Sequence, residues 1–412
     1  MNTSMESLYS LGDENLNFAV SDDVMGRVKK NYLDYMTQSH SQKVYGLHTH
    51  YGANVEQLSN PLLWAQHQDE LLNYLCVGVG KALPDSVVRR ALRLQVNKLG
   101  KAVSGIHPET LQNLISLTNK KTLPQVPQFG SLGASGDLIS MAHAVRPIFE
   151  TYGIKGPRDV ISCVNTNAMM SSLAIEICPT VKTLLNDALQ ITAMISKSIN
   201  APAEAYDEKL LSLGANSRHT VIVADKINQE IENIKIDFTE ASTLLQQRYS
   251  LRCSPQIFAH SLRLLHWAEE MIIDEALAVA DNPVCVSDSL DNKVLHGGLF
   301  YAIGLASAAD FMNEAVARVI EVLDRQVLIL MDQNLNSGMP MNLKTNEDYH
   351  VKGLHQLVSS LLQKARGLML PSRAMSFSCE SNNQDVVPCG MNALLQLQEL
   401  VELSQDIIKA GY

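Results

Sequence analysis

The sequence predicts an all-α protein, a long antiparallel helix bundle with a loop-rich N-terminal region. Three observations predict it. Apolar residues recur at three-and-four spacing through most of the 412 residues, strand-type alternation is scarce, and the long interruptions are rich in glycine, proline and polar residues. In order, the spacing predicts helices over 62–83, 86–103, 168–199, 254–280, 299–331, 350–370 and 391–408. "GVGKA" around Lys81 reads as the end of the first of these. Loops are expected at 41–61, 119–137 and 150–160, and loops as long as the first two are usually functional or disordered in a compact fold. Residues 207–240 are polar and read as surface connection plus one helix. No linker separates two globular parts, so an N-terminal region, 1–165, and a central helix bundle, 166–412, are expected to form one integrated unit.

Charged residues make up 18% of the chain, below the roughly 25% of an ordinary soluble domain, which suggests that polar surface is replaced by burial between subunits. The net charge of −10 supplies no basic field for phosphodiesters, so nucleic acid is not an expected partner. The seven cysteines are scattered without a CxxC pair, as suits a reducing cytoplasm. No N-terminal basic and apolar leader and no uninterrupted apolar run of about 18 residues stands out, so neither export nor a membrane is expected.

The chemistry concentrates in "FGSLGASGDLISMAHAV", where Gly130, Gly133 and Gly136 surround Ser131 and Ser135 ahead of a helical pattern expected to start near Asp137. A hydrolase elbow needs glycine two positions after its serine, and Asp137 stands there instead. "GVGKA" lacks the leading glycine and the Ser/Thr of a phosphate loop. His48 and His50 have no carboxylate cluster or HExxH to complete a metal site, so no metal is expected.

"GSLGASGDLISMAH" closely resembles the signature of the aromatic amino acid ammonia-lyase and aminomutase family. In that family the Ala-Ser-Gly triad closes on itself: the glycine nitrogen attacks the alanine carbonyl, and two waters leave, one from ring closure and one from the serine. The product is a 4-methylidene-imidazole-5-one (MIO) group. The resemblance implies that Ala134, Ser135 and Gly136 form this electrophile without metal or nucleotide. Compression of three residues into a ring needs a backbone free of bulky side chains.

The resemblance continues in order along the chain. "KVYGLHTHYGANV" is similar to the family's tyrosine loop, with Tyr45 on the catalytic base. "CVNTN" puts Asn165 on the asparagine beside the prosthetic group. In "QQRYSLRCSPQ", Gln246, Tyr249 and Arg252 recur every third residue, which on a helical turn gives one face. "ADNPV" and "HGGLFYA" match further landmarks, with Phe300 on the aromatic beside the prosthetic group. "DYHVKG" and "CESNNQDV" carry over Lys352, Glu380 and Gln384; the last two, four apart, suggest one helix face. Tyr249 and Glu380 join the catalytic set by resemblance, with Glu380 taking the amine's proton and Lys352 setting its charge. Arg252 would clamp the substrate carboxylate, and Asn165, Gln246 and Gln384 would position the prosthetic group and substrate.

The pair Tyr74 and Leu75 falls where histidine lyases resemble Ser-His, tyrosine lyases His-Leu and phenylalanine lyases Phe-Leu. With Gln384 in place of a glutamate, the pattern is nearest the phenylalanine type. The resemblance therefore implies the fumarase/aspartase-like helical architecture and elimination of ammonia from an aromatic amino acid. It also implies a homotetramer with shared active sites. The alternatives are a 2,3-aminomutase and a catalytically silent assembly or binding member. Departures from the family pattern are Thr166 in place of glycine, Leu299 in place of asparagine, and His50 and Tyr51 in place of Gly-Phe. The family's C-terminal extension is largely missing.

Overall fold

The computed structural model describes residues 4–235, 244–287, 292–344 and 350–411. The chain forms two compact units. The first comprises Met1–Glu176, Glu270–Ser307 and Ser372–Leu395; the second comprises Ile177–Glu269, Ala308–Pro371 and Gln396–Tyr412.

The all-α expectation holds. Helices form at Trp64–Leu75, Asp85–Leu99, Ala168–Ser198, Ser254–Leu277, Ile303–Met331, Lys352–Arg366 and Gly390–Gly411, one within each periodic segment. The helix Ser217–Asn233 lies within the polar stretch 207–240, whose end falls outside the described residues, as do Asp348 and Tyr349 of "DYHVKG". In the second unit the long helices touch through paired polar groups on otherwise apolar faces. Thr192 and Gln326 bond to each other, Ser261 donates to the Ala315 carbonyl, and Lys182 pairs with Glu269.

One expected helix is cut short. Trp64–Leu75 ends before the glycines, and Val79–Ala82 is a strand pairing antiparallel with Pro127–Phe129. Gly78, Gly80 and the β-branched Val77 and Val79 favour extended chain over another turn of helix. The strand thus places the 119–137 loop beside the end of the Tyr74 helix. A second hairpin pairs Val284↔Leu295 and Cys285↔Val294.

The Asp85–Leu99 helix buries Arg89, Arg90 and Arg93, each at most 2% exposed. Their guanidinium groups bond mainly to backbone carbonyls: Arg89 to Thr118 and Lys120, Arg90 to Tyr9 and Ser172, Arg93 to Leu11, Asp13 and Leu16. Such carbonyls satisfy the planar fork of donors without a carboxylate for each charge. The N-terminal segment is thereby pinned to the core.

Residues Asp159–Ser198 are apolar and long enough by composition to cross a bilayer, although no uninterrupted apolar run of such length occurs in them, and 72% of the most apolar window is buried inside the protein. A core helix has the same composition.

Arg158 and Asp281 form a buried ion pair at 2.8 Å, and Arg158 also donates to the Ser104 and Pro283 carbonyls. Removing one charge strands the other in a low dielectric. Arg158→Met is expected to cost about 3–5 kcal/mol, read as a fall in the urea midpoint. It should also loosen the Asn282 loop, which reaches the cavity described next.

Candidate active site

Residues 130–137 form an irregular turn with the short strand Ala134–Asp137, closed by a Gly133↔Gly136 bridge. Its bonds run outward on all sides. Gly390 N–H donates to the Leu132 carbonyl and Ala302 N–H to that of Gly133, each at 3.2 Å, while Asp137 N–H donates to the Thr166 carbonyl at 2.5 Å. Ser135 is held at both its oxygens: Asn165 Nδ2 donates to the carbonyl and Gln384 Nε2 to Oγ, each at 2.9 Å.

Gly136 has φ +74°, and a Cβ built there would lie 2.2 Å from the Thr166 carbonyl oxygen. The close approach expected of a glycine at position 166 is instead permitted by the missing side chain at 136. Gly136→Ala is expected to displace this segment or prevent its folding, with at least 1–3 kcal/mol of strain from the positive φ alone. A lowered melting temperature and loss of any mass change in the 134–136 peptide would register it.

The helix after this turn starts at Ile139, with Leu138 at φ +28°, and not at Asp137 as expected. Asp137 is fully buried and caps a different helix. Its carboxylate accepts the Met169 and Met170 N–H groups at the start of Ala168–Ser198, at 2.5 and 3.1 Å. Those amides have no partner within their own helix, so tertiary need diverts the cap. Burial pushes the Asp137 carboxyl up to about 7, opposed by the two N–H groups and by Lys98, itself lowered by burial to about 8.

A cavity of about 440 Å³ opens beside the turn. Tyr45, Tyr74, Leu75, Ala134, Ser135, Gly136, Asn165, Phe300, Glu380 and Gln384 all line it. These residues are brought together from across the first unit.

Tyr45 accepts the Gly52 N–H at 2.8 Å, and its own backbone N–H donates to His296 Nε2 at 3.1 Å. Burial pushes the Tyr45 phenol up, with Glu380 adding to the rise and the Gly52 N–H and Arg158 opposing it.

Glu380 and Gln384 do not share a helix. They belong to a turn closed by the Cys379↔Gln384 bridge, with Glu380, Ser381 and Asn382 all at positive φ. The four-residue spacing suits that turn equally, and Glu380 Oε1 accepts the Ala53 N–H at 3.2 Å.

Gln246, Tyr249, Arg252 and Lys352 do not line this cavity; all four belong to the second unit. Gln246 lies in an exposed bend before the single turn Tyr249–Arg252, so the three-residue spacing does not put it on the helix with the other two. Arg252 stacks on the Tyr249 ring at 4.5 Å, and its buried Nε has no partner among the described residues. Lys352 is exposed at the start of its helix.

Sequence reading passed over Gln68, which is fully buried. The signal was present: Gln68 sits with Leu71, Leu72 and Leu75 on the buried face of its helix, where an amide needs partners. It accepts the N–H groups of Val160 and Ile161 at 2.9 and 3.1 Å, capping the helix Asp159–Val164 that delivers Asn165.

The helical fold presents the Ala-Ser-Gly turn and a half-buried phenol to one cavity, an arrangement that fits a carbon–nitrogen lyase type of enzyme. The chain belongs to the aromatic amino acid lyase family, whose model matches residues 3–151 and 154–410. It is 25% identical to a probable histidine ammonia-lyase of Thermoplasma volcanium, covering 99% of this chain and 86% of that one. It is 28% identical to a tyrosine 2,3-aminomutase of Myxococcus fulvus, covering 87% and 76%. The solved phenylalanine aminomutase of Pantoea agglomerans shares the fold with a TM-score of 0.88 at 20% identity, covering 100% and 87%.

Proposed function

We propose that this chain eliminates ammonia from an aromatic L-α-amino acid with an uncharged ring, giving an α,β-unsaturated acid, and that Ala134, Ser135 and Gly136 close into the MIO group. The observation that carries the reading is the double hold on Ser135 by Asn165 and Gln384, on the same cavity wall system as Tyr45. The Gly136 cradle fits the group, since ring closure requires a residue without Cβ against the Thr166 carbonyl.

When formed, the group supplies an electrophile for the substrate amine, converting a poor leaving group into a good one. The residues of the chain do the rest. Tyr45, as phenolate, takes the β-proton. Glu380 accepts the ammonium proton so that the amine lone pair is free, and returns a proton as the C–N bond breaks, so that nitrogen departs as ammonia with the bonding pair while the α,β double bond forms. Asn165 and Gln384 keep the Ser135 segment oriented. Tyr74 and Leu75 wall the ring pocket, and a phenol with a leucine offers no charge to meet an imidazole.

Gln246, Tyr249, Arg252 and Lys352 are read as contributions from neighbouring copies in a homotetramer, with Arg252 meeting the carboxylate through its paired N–H groups. The low charge fraction supports burial between copies. A cytoplasmic site is proposed from the seven cysteines, which form no disulfide among the described residues.

The test is a panel of phenylalanine, tyrosine and histidine followed by absorbance of the unsaturated acid. Release from histidine alone would overturn the ring assignment. Chiral analysis for a β-amino acid decides between lyase and aminomutase, the reading favoured by the aminomutase relatives.

A further inference from the structure

Tyr51 stands where the family pattern has phenylalanine, and its added hydroxyl has a fixed polarity. Gln68 Oε1 already accepts two backbone N–H groups, those of Val160 and Ile161, which uses its two lone-pair directions. The amide therefore has only one possible orientation, with Nε2 facing the Tyr51 hydroxyl. An amide NH₂ only donates, so the Tyr51 oxygen must accept. The phenol is left with its own O–H to give, and no described residue accepts it.

The open space beside Tyr51 is where that O–H can be given. Tyr51 lines the 440 Å³ cavity and also an adjoining polar cavity of about 330 Å³ that includes His50, His67 and Glu70. Tyr74 and Glu380 are common to both, so Tyr51 stands at the junction beside the ring-selecting pair. Its ring meets that of Tyr45 edge-on, with centroids 5.7 Å apart and planes at 82°, which fixes its place relative to the base. Burial raises the phenol far above its usual range, so it stays protonated.

Resting on the lyase reading, we infer that Tyr51 is a specificity-determining donor and that the substrate ring carries a neutral hydrogen-bond acceptor, a hydroxyl or ether oxygen or a ring nitrogen, which receives the Tyr51 O–H. A neutral acceptor is favoured over an anionic one because the carboxylates of Glu70 and Glu380 line the adjoining cavity. A half-buried donor left without a partner disfavours the isosteric apolar ring, since a site built to hydrogen-bond a group rejects the analogue that lacks it.

The experiment compares 3- and 4-hydroxyphenylalanine with the corresponding methyl isosteres by kcat/KM. In parallel it compares binding of the matching hydroxy- and methylcinnamates, which needs no turnover. Wild type is expected to favour the hydroxy member of one pair by about tenfold or more. In Tyr51→Phe that ratio should collapse towards one. Gln68→Glu, assayed at pH 9 so that the carboxylate is ionised, keeps the acceptor for Val160 and Ile161 but turns the Tyr51 O–H back towards itself. The same collapse is expected, and this variant decides the matter if Tyr51→Phe fails to fold. A ratio near one in wild type, a ratio that survives both variants, or an equal fall for hydroxy and methyl members would overturn the inference. Turnover without discrimination would overturn it and leave the lyase reading standing; neither turnover nor binding of any member would overturn both.

Discussion

Ser135→Ala is expected to reduce ammonia release to background, a loss on the order of 10⁶-fold or more, the scale of a full enzymatic rate enhancement. The expectation follows from atoms. Closing Gly136 nitrogen onto the Ala134 carbonyl expels one water, and only the Ser135 hydroxyl can leave as the second, so alanine permits no methylidene carbon. The folded variant should keep its stability, because the lost bond is the one from Gln384 to Ser135 Oγ at the cavity edge, where about 1 kcal/mol is at stake. Mass measurement of the peptide containing 134–136 checks the chemistry directly. Native protein should be short by two waters and the variant by at most the one from ring closure. An unmodified peptide in active native protein would sink the proposed electrophile.

Tyr45→Phe is expected to lower kcat by about 10²- to 10⁴-fold, the usual span for a positioned general base, with little change in KM. The sign of the pH dependence follows from burial. The base acts as phenolate, and burial raises its pKa above the ordinary tyrosine value despite the Gly52 N–H. The active fraction therefore grows as pH rises, and kcat/KM should climb through the neutral range into the alkaline without a plateau near pH 7. The phenylalanine variant should lose that climb along with the rate. If the limb persisted in Tyr45→Phe, another group would be the base.

Much of the site was legible in the sequence because it is carried by local patterns. The Ala-Ser-Gly turn, the tyrosine loop, Asn165, Phe300 and the "CESNNQDV" turn are short contiguous motifs, and each of them lines one cavity. The long helices were legible for a similar reason: an apolar stripe records in the chain itself which face is buried. Where local signals competed, reading failed. Gly78 and Gly80 turned a helix into a strand, and Glu380 and Gln384 at helical spacing form a left-handed turn.

What the sequence determined by itself, then, is the helical class, the family and the chemical groups, since all three depend on residue type and spacing. The tertiary structure alone decided which partners those groups meet. Asp137 caps a helix that begins 31 residues later, at Ala168, instead of the one that follows it. Arg90 and Arg93 of the Asp85–Leu99 helix tie down the N-terminal segment, while Arg89 holds the Thr118 and Lys120 carbonyls. Gln68 orients Tyr51 by way of amides 92 and 93 residues away. The physical reason is common to all three. A buried donor or acceptor must be satisfied, and which group satisfies it depends on what the packed chain brings within about 3 Å, a distance that sequence separation does not encode.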